Sequence, residues 1–275
     1  MSTSKPSITI ICAVIVASIV ALLPVTDDVG HEHVDTALNR ALAAWAIARG
    51  LNGVISVAQG TELGIQPAGV GVNFSPGEIL DPVNDLVERF SWIMLLASSS
   101  LGVQKVLLEM SEWQGILFAL ALVALLLIAS QFFSANERAK SVLGRLFLFV
   151  LLLRFMMPMI ALANDFVYRT FLEANYIEAS AELRSAREAI GEINSEVRSD
   201  TKAPESMVER AVGFYKNFVD QIDLEKRYER YRAAAGEVSE NAIDMIVVFI
   251  MQTVVFPLIF LGILFGVLRR LTHWH

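Results

Sequence analysis

The chain has 275 residues, of which 55% are hydrophobic and only 19% charged, and its mean hydropathy is +0.53. Soluble proteins carry roughly 25% charged residues, so an ordinary water-soluble domain is excluded. The net charge of −7 argues against a nucleic-acid partner, because phosphate is met by a basic surface.

The first apolar run, residues 8–25, has no charge before Asp27. It approaches the roughly 20 apolar residues that cross about 30 Å of hydrocarbon. It reads as an anchor rather than a cleaved signal. Its core exceeds the usual 7–15 residues, the leading segment offers only Lys5, and no small-x-small site follows Pro24. Cleavage is the alternative and leaves the sidedness of the rest unchanged. The only cysteine, Cys12, lies inside this run, so no internal disulfide can form.

Residues 26–114 read as a first outer segment. His31-Glu32-His33, near Asp27, Asp28 and Asp35, has metal-ligating residue types, but the alternation suits a strand or turn. Asp and His ahead of a helix serve as caps and dipole partners, and no metal site is expected. Residues 33–49 are alanine-rich and helix-like, with Gly50 as a C-cap. Glycines and Pro67 then punctuate a small hairpin in which 54–58 and 70–74 read as strands. Asp81-Pro82 reads as an N-cap with proline at the first helical position. Residues 90–110 are apolar but interrupted by Lys105 and Glu109, spaced to pair on one helix face. They read as an interfacial or re-entrant helix rather than a fifth span. Ser98, Ser99 and Ser100 lack a G-x-S-x-G elbow and read as packing residues.

Residues 115–133 carry no charge and form a second span. Residues 143–163 form a third, with Arg145 near the start and Arg154 in the middle. An arginine at the bilayer centre costs roughly 2.5–3.5 kcal/mol on insertion scales. Arg154 must therefore bond a carbonyl of a neighbouring helix, snorkel, or mark a functional polar site. Gln252, near the middle of the last span, is the best-placed neutral partner. Asp244 has the opposite charge but lies about 12 Å higher along that helix. Pro158 and Pro257 read as kinks.

From 165 to 244 there are 17 acidic and 11 basic residues. Tyr176, Ala179, Leu183, Ala186, Ile190, Ile193 and Val197 recur at a spacing of 3–4, as in a coiled-coil seam. A turn cluster at 199–204 follows, and Val208, Val212, Tyr215, Val219 and Ile222 form a second seam. Two seams about a proline turn predict an antiparallel helical hairpin. Residues 243–268 form the fourth span, ending in Arg269 and Arg270. Trp274 in the His-Trp-His tail sits at headgroup level.

Arg138, Lys140, Arg145, Arg269, Arg270 and Lys5 fall on one side of a four-span topology, which marks the cytoplasm. The fold expected is therefore an all-α polytopic membrane protein with four transmembrane helices. It carries an extracytoplasmic antiparallel helical hairpin and a small mixed first outer segment. The divisions fall at 1–25, 26–114, 115–164, 165–242 and 243–275. Both termini are cytoplasmic, in a plasma membrane of the bacterial inner-membrane kind. No P-loop, GxGxxG or HExxH is present, and neither enzymatic activity nor a cofactor is expected. The expected partners are the lipid bilayer and either a second copy or another membrane protein, engaged through the hairpin. The alternative is an oligomeric pore or transport component with a polar site at Arg154, Gln252 and Asp244.

Overall fold

The computed structural model describes residues 8–23, 25–60, 63–65, 72–74, 76–132, 137–200 and 209–273. The chain runs α1 (Ile8–Leu22), α2 (Val25–Gln59), β1 (Leu63–Ile65), β2 (Val72–Phe74), α3 (Pro76–Ser111), α4 (Gln114–Phe132) and α5 (Glu137–Val167). A π-helical turn, Tyr168–Leu172, leads into α6 (Glu173–Asp200). After α7 (Glu209–Ile250) a second π-helical turn, Met251–Val255, leads into α8 (Phe256–His273). Two strands pair antiparallel with Gly64 opposite Asn73, and nearly all the other described residues are helical.

Among the described residues, five helical stretches are long and apolar enough to cross a membrane: Asp28–Gln59, Ile79–Ser111, Gln114–Phe132, Glu137–Glu196 and Glu225–Gly266. α1 is apolar but shorter. Two of these stretches come from residues 26–114, where two long helices flank the short β1–β2 hairpin. Residues 54–58 are not a strand. Leu51, Ile55 and Ala58 are buried at 3–4 spacing, and burial on one stripe overrides the β-branched composition. Gly50 does not end the helix. It lies inside α2, where an added Cβ would stand 3.0 Å from Arg187 Cδ, so the missing side chain makes room for α6. Of the second expected strand, Val72–Phe74 forms, paired with Leu63–Ile65.

α3 is likewise continuous. Asp81 does not start it and Pro82 lies inside it, near the N-terminus, where the ring removes a single backbone bond. Asp81 instead accepts a hydrogen bond from Gln59 Nε2 at 2.7 Å. Residues 90–110 lie within this unbroken helix. Pro257 is the second residue of α8, and the widened Met251–Val255 turn just before it holds the carbonyl four residues back that the ring would otherwise meet.

The chain divides into two compact units. The first comprises residues 1–39, 99–170 and 252–275. In it Val14 and Ala21 of α1, Leu120, Val123, Ala124 and Leu127 of α4, and Phe147 and Val150 of α5 form one apolar core. Val34, Leu108 and Ala161 form another. Gly30 permits close packing beside them, since an added Cβ would lie 3.6 Å from the Pro158 Cα.

The second unit comprises residues 40–98 and 171–251. Its buried positions alternate in steps of three and four on every helix: Ala41, Ala44, Ala48, Leu51 and Ile55 on α2; Val83, Val87, Phe90 and Met94 on α3; Ala179, Leu183, Ala186, Ile190 and Ile193 on α6; Tyr231, Ala235, Val238, Ala242, Met245 and Phe249 on α7. This spacing gathers buried side chains of each helix on one face. α6 and α7 pack antiparallel: Tyr231 meets Asn194, Arg230 meets Glu196 at 2.8 Å, and the rings of Phe249 and Tyr176 meet edge to face. Of the two expected seams, the first is buried from Ala179 to Ile193. Val208, and the side chains of Val197, Val212, Tyr215, Val219 and Ile222, lie outside the described residues.

Candidate functional site

Polar groups enclosed by apolar helices are the places to look for function, because each costs free energy unless it is satisfied. Arg154 on α5 is 1% exposed. Its Nε donates to the carbonyl of Ala21 at 3.2 Å, and its guanidinium carbon lies 5.8 Å from the centre of the Phe155 ring. Ala21 is in the last turn of α1, where carbonyls have no partner within the helix. Arg154 therefore caps α1 and places a positive charge at the negative end of its dipole.

Gln252 lies in the Met251–Val255 π turn, 2% exposed, with Oε1 unbonded. Asp244 is exposed on α7 and belongs to the second unit, whereas Arg154 and Gln252 belong to the first.

A set of polar contacts joins α2, α3 and α5 within the first unit. His31 Nε2 is 3.0 Å from each carboxylate oxygen of Glu112, just past the end of α3. His33 Nδ1 is 3.3 Å from Asp165 Oδ1 on α5, and Arg169 Nε donates to the other Asp165 oxygen at 2.6 Å. Lys105 Nζ is 2.7 Å from Asp35. Because these residues are helical, His31 and Asp35, one turn apart, both face α3, while His33 points round to α5. The expected strand or turn at 31–33 is thus replaced by helix. Lys105 finds its close partner on α2, and Glu109 on its own helix contributes only a weaker attraction. The signal that sequence reading missed was the i, i+4 spacing of His31 and Asp35. Among the described residues no three His, Cys, Asp or Glu side chains converge as metal ligands.

The second unit has its own polar relay. Tyr231 Oη donates to Asn194 Oδ1 at 2.8 Å, and Asn194 Nδ2 donates to the Val54 carbonyl at 2.8 Å, tying α7, α6 and α2 together. Burial pushes the Tyr231 phenol up to about 12 against the pull of Arg227 and Arg230. The folded state thus favours the neutral phenol. Its contribution is intact below the ordinary tyrosine value of about 10 and is lost as pH rises from there through 12. In a phenolate absorbance titration of the folded protein, one of the five tyrosines should ionise near pH 12. Tyr231→Phe should remove that step. A titration unchanged by the substitution would contradict the relay.

The chain matches no family model, and no curated protein or solved structure is significantly similar to it.

Proposed function

We propose that the protein is a non-catalytic, multi-pass membrane protein that acts by assembly, with itself or with a partner protein, through its extracytoplasmic helical unit. In this reading residues 8–25, 115–133, 143–163 and 243–268 cross the membrane, and residues 26–114 and 165–242 lie outside the cytoplasm. The observation that carries it is the outward apolar surface of the second unit. The hairpin seam on α6 is already filled by the chain's own helices, yet Trp92 and Leu96 on α3 remain more than half exposed. Native mass measurement in mild detergent tests it. A complex is expected, and a strict monomer with no copurifying protein would overturn it.

The sidedness is tested separately. Reporter fusions at Lys140 and after His275 should report cytoplasm, and fusions near Lys202 should report the outside. A cytoplasmic signal at Lys202 would reverse the topology. A second reading, an oligomeric pore or transport component, draws support from Gln252, whose buried Oε1 lacks a bond in a π-helical turn. Such turns recur at functional sites. Ion or solute flux in liposomes, abolished by Gln252→Leu, would favour it over assembly.

A further inference from the structure

Within the first unit, the start of α2 meets α3 and α5 around a small apolar core. Val34, Leu108 and Ala161 are its buried members, and Met157 packs against them. Polar contacts frame this core on its outer side. Val34 stands in the chain between His33 and Asp35. Leu108 is one helical turn from both Lys105 and Glu112, and Ala161 is one turn before Asp165. The groups that meet across the core are therefore His31 with Glu112 at 3.0 Å, His33 with Asp165 at 3.3 Å, and Asp35 with Lys105 at 2.7 Å. With so few apolar residues beneath them, these contacts decide how firmly the start of α2 is held.

Two of the contacts are made by imidazoles, the side chain that changes charge between about pH 5 and 8. A neutral ring offers one N–H, whereas a protonated ring donates from both nitrogens and carries a charge, which makes its bond to a carboxylate roughly twice as strong. The difference matters most at Asp165, whose Oδ1 has no donor in hydrogen-bonding geometry. His33 Nδ1 is 3.3 Å from that oxygen, and protonation puts an N–H there whichever tautomer the neutral ring adopts. The neighbouring cations are already engaged. Lys105 is held by Asp35, and Arg169 donates to the other Asp165 oxygen. The remaining charges on these stretches, Asp28 and Glu32 on α2 and Glu109 on α3, are acidic and exposed. The His31 side chain is 30% exposed and that of His33 14%, so water reaches both.

We propose that His31 and His33 form a proton-operated clasp, in which protons taken up by the two imidazoles lock the start of α2 onto α3 and α5 and their loss releases it. Carboxylates are ionised above about pH 5, and imidazoles lose their charge by about pH 8. The clasp is thus tightest at the acid end of that interval and loosens toward the alkaline end. In the four-span reading, His31, Glu112 and Asp165 lie a few residues beyond 8–25, 115–133 and 143–163, all on the extracytoplasmic side. The protons then come from the outer solution. This choice of side rests on the sidedness proposed above, whereas the clasp rests on the contacts alone.

The test uses the full chain in sealed right-side-out vesicles, with Cys12→Ser because Cys12 is an exposed thiol. Val34→Cys probes the buried core, and Thr36→Cys, at an exposed position on the same helix, supplies the ordinary pH dependence of thiol labelling. The ratio of labelling at 34 to labelling at 36 by an impermeant maleimide is the readout. Between about pH 5.5 and about pH 8 outside, it should rise roughly fivefold or more, the difference between a charged and a neutral hydrogen bond. His31→Gln and His33→Gln should each reduce the rise, and the double variant should abolish it. A histidine with a merely structural role would shift the ratio at every pH and leave its slope. The single variants are each compared with the parent, so the comparison holds even if the double variant does not fold. A flat ratio in the parent would overturn the clasp, as would a rise of unchanged size in both single variants. Labelling of Thr36→Cys only after the vesicles are opened would overturn the sidedness instead. The clasp would then be judged in the opened vesicles, where the same rise is expected and a flat ratio would sink it too.

Discussion

Ile190→Asp should collapse the second unit, while Glu188→Lys, two residues away, should leave it intact. Ile190 is fully buried on α6, in step with Leu183, Ala186 and Ile193. A carboxylate there has no cationic partner on the seam, and an uncompensated buried charge costs roughly 3–5 kcal/mol. The lost isoleucine burial adds roughly 1.5–3 kcal/mol. Together these rival the whole stability of a typical domain, about 5–15 kcal/mol. Glu188 is exposed, and surface substitutions usually stay within about ±0.5 kcal/mol. Trypsin applied from the extracytoplasmic side of oriented vesicles should therefore cut the Ile190→Asp protein along α6 and α7, and spare the Glu188→Lys protein there. In detergent the aspartate variant should unfold roughly 10 °C or more below the parent, taking about 2–4 °C per kcal/mol. Equal protection of the two variants would mean that the seam is not buried in the working protein. If Ile190→Asp opens the hairpin and the complex keeps its parent mass, the second unit does not hold the assembly together.

The parts of the fold legible in the sequence are those where one signal dominates. Residues 115–133 read as a helix because nineteen uncharged residues leave no other solution. The α6 seam reads correctly because its apolar period and its charged face agree. The misreadings fall where local composition opposes tertiary burial. Val54, Ile55 and Val57 between glycines look like a strand, yet Asn194 reaches the Val54 carbonyl and Ile55 closes a core, and α2 continues through them. Gly50 looks like a cap because the reason for glycine, the side chain of Arg187, lies 137 residues away. The polar contacts were hidden in the same way. His31, His33 and Asp35 invite a metal reading until their helical phase separates them onto two neighbouring helices. Lys105 and Glu109 broke the apolar run by position, and only the folded chain shows that Lys105 turns toward Asp35 on α2.

Arg154→Leu should release α1 without reducing insertion of the chain. Two effects oppose each other. Leucine enters the bilayer core more readily than arginine, by roughly 2.5–3.5 kcal/mol on insertion scales, so membrane abundance should hold or rise. Against this, the Ala21 carbonyl loses a charged donor inside an apolar unit, which costs about 1–3 kcal/mol, and α1 loses the charge at its dipole end. The first effect acts on entry and the second on packing after entry, so they separate experimentally. Hydrogen exchange in α1 should accelerate roughly 5- to 150-fold, the equivalent of that cost, with α4 protected as before. Arg154→Gln keeps an N–H donor and removes the charge. Arg154→Lys keeps the charge and loses the guanidinium fork. If the hydrogen bond dominates, glutamine should protect α1 better than lysine, and if the dipole dominates, the order should reverse. Unchanged exchange in Arg154→Leu would dismiss the cap and return Arg154 to the polar-pathway reading, where flux rather than α1 exchange should respond to the same three substitutions.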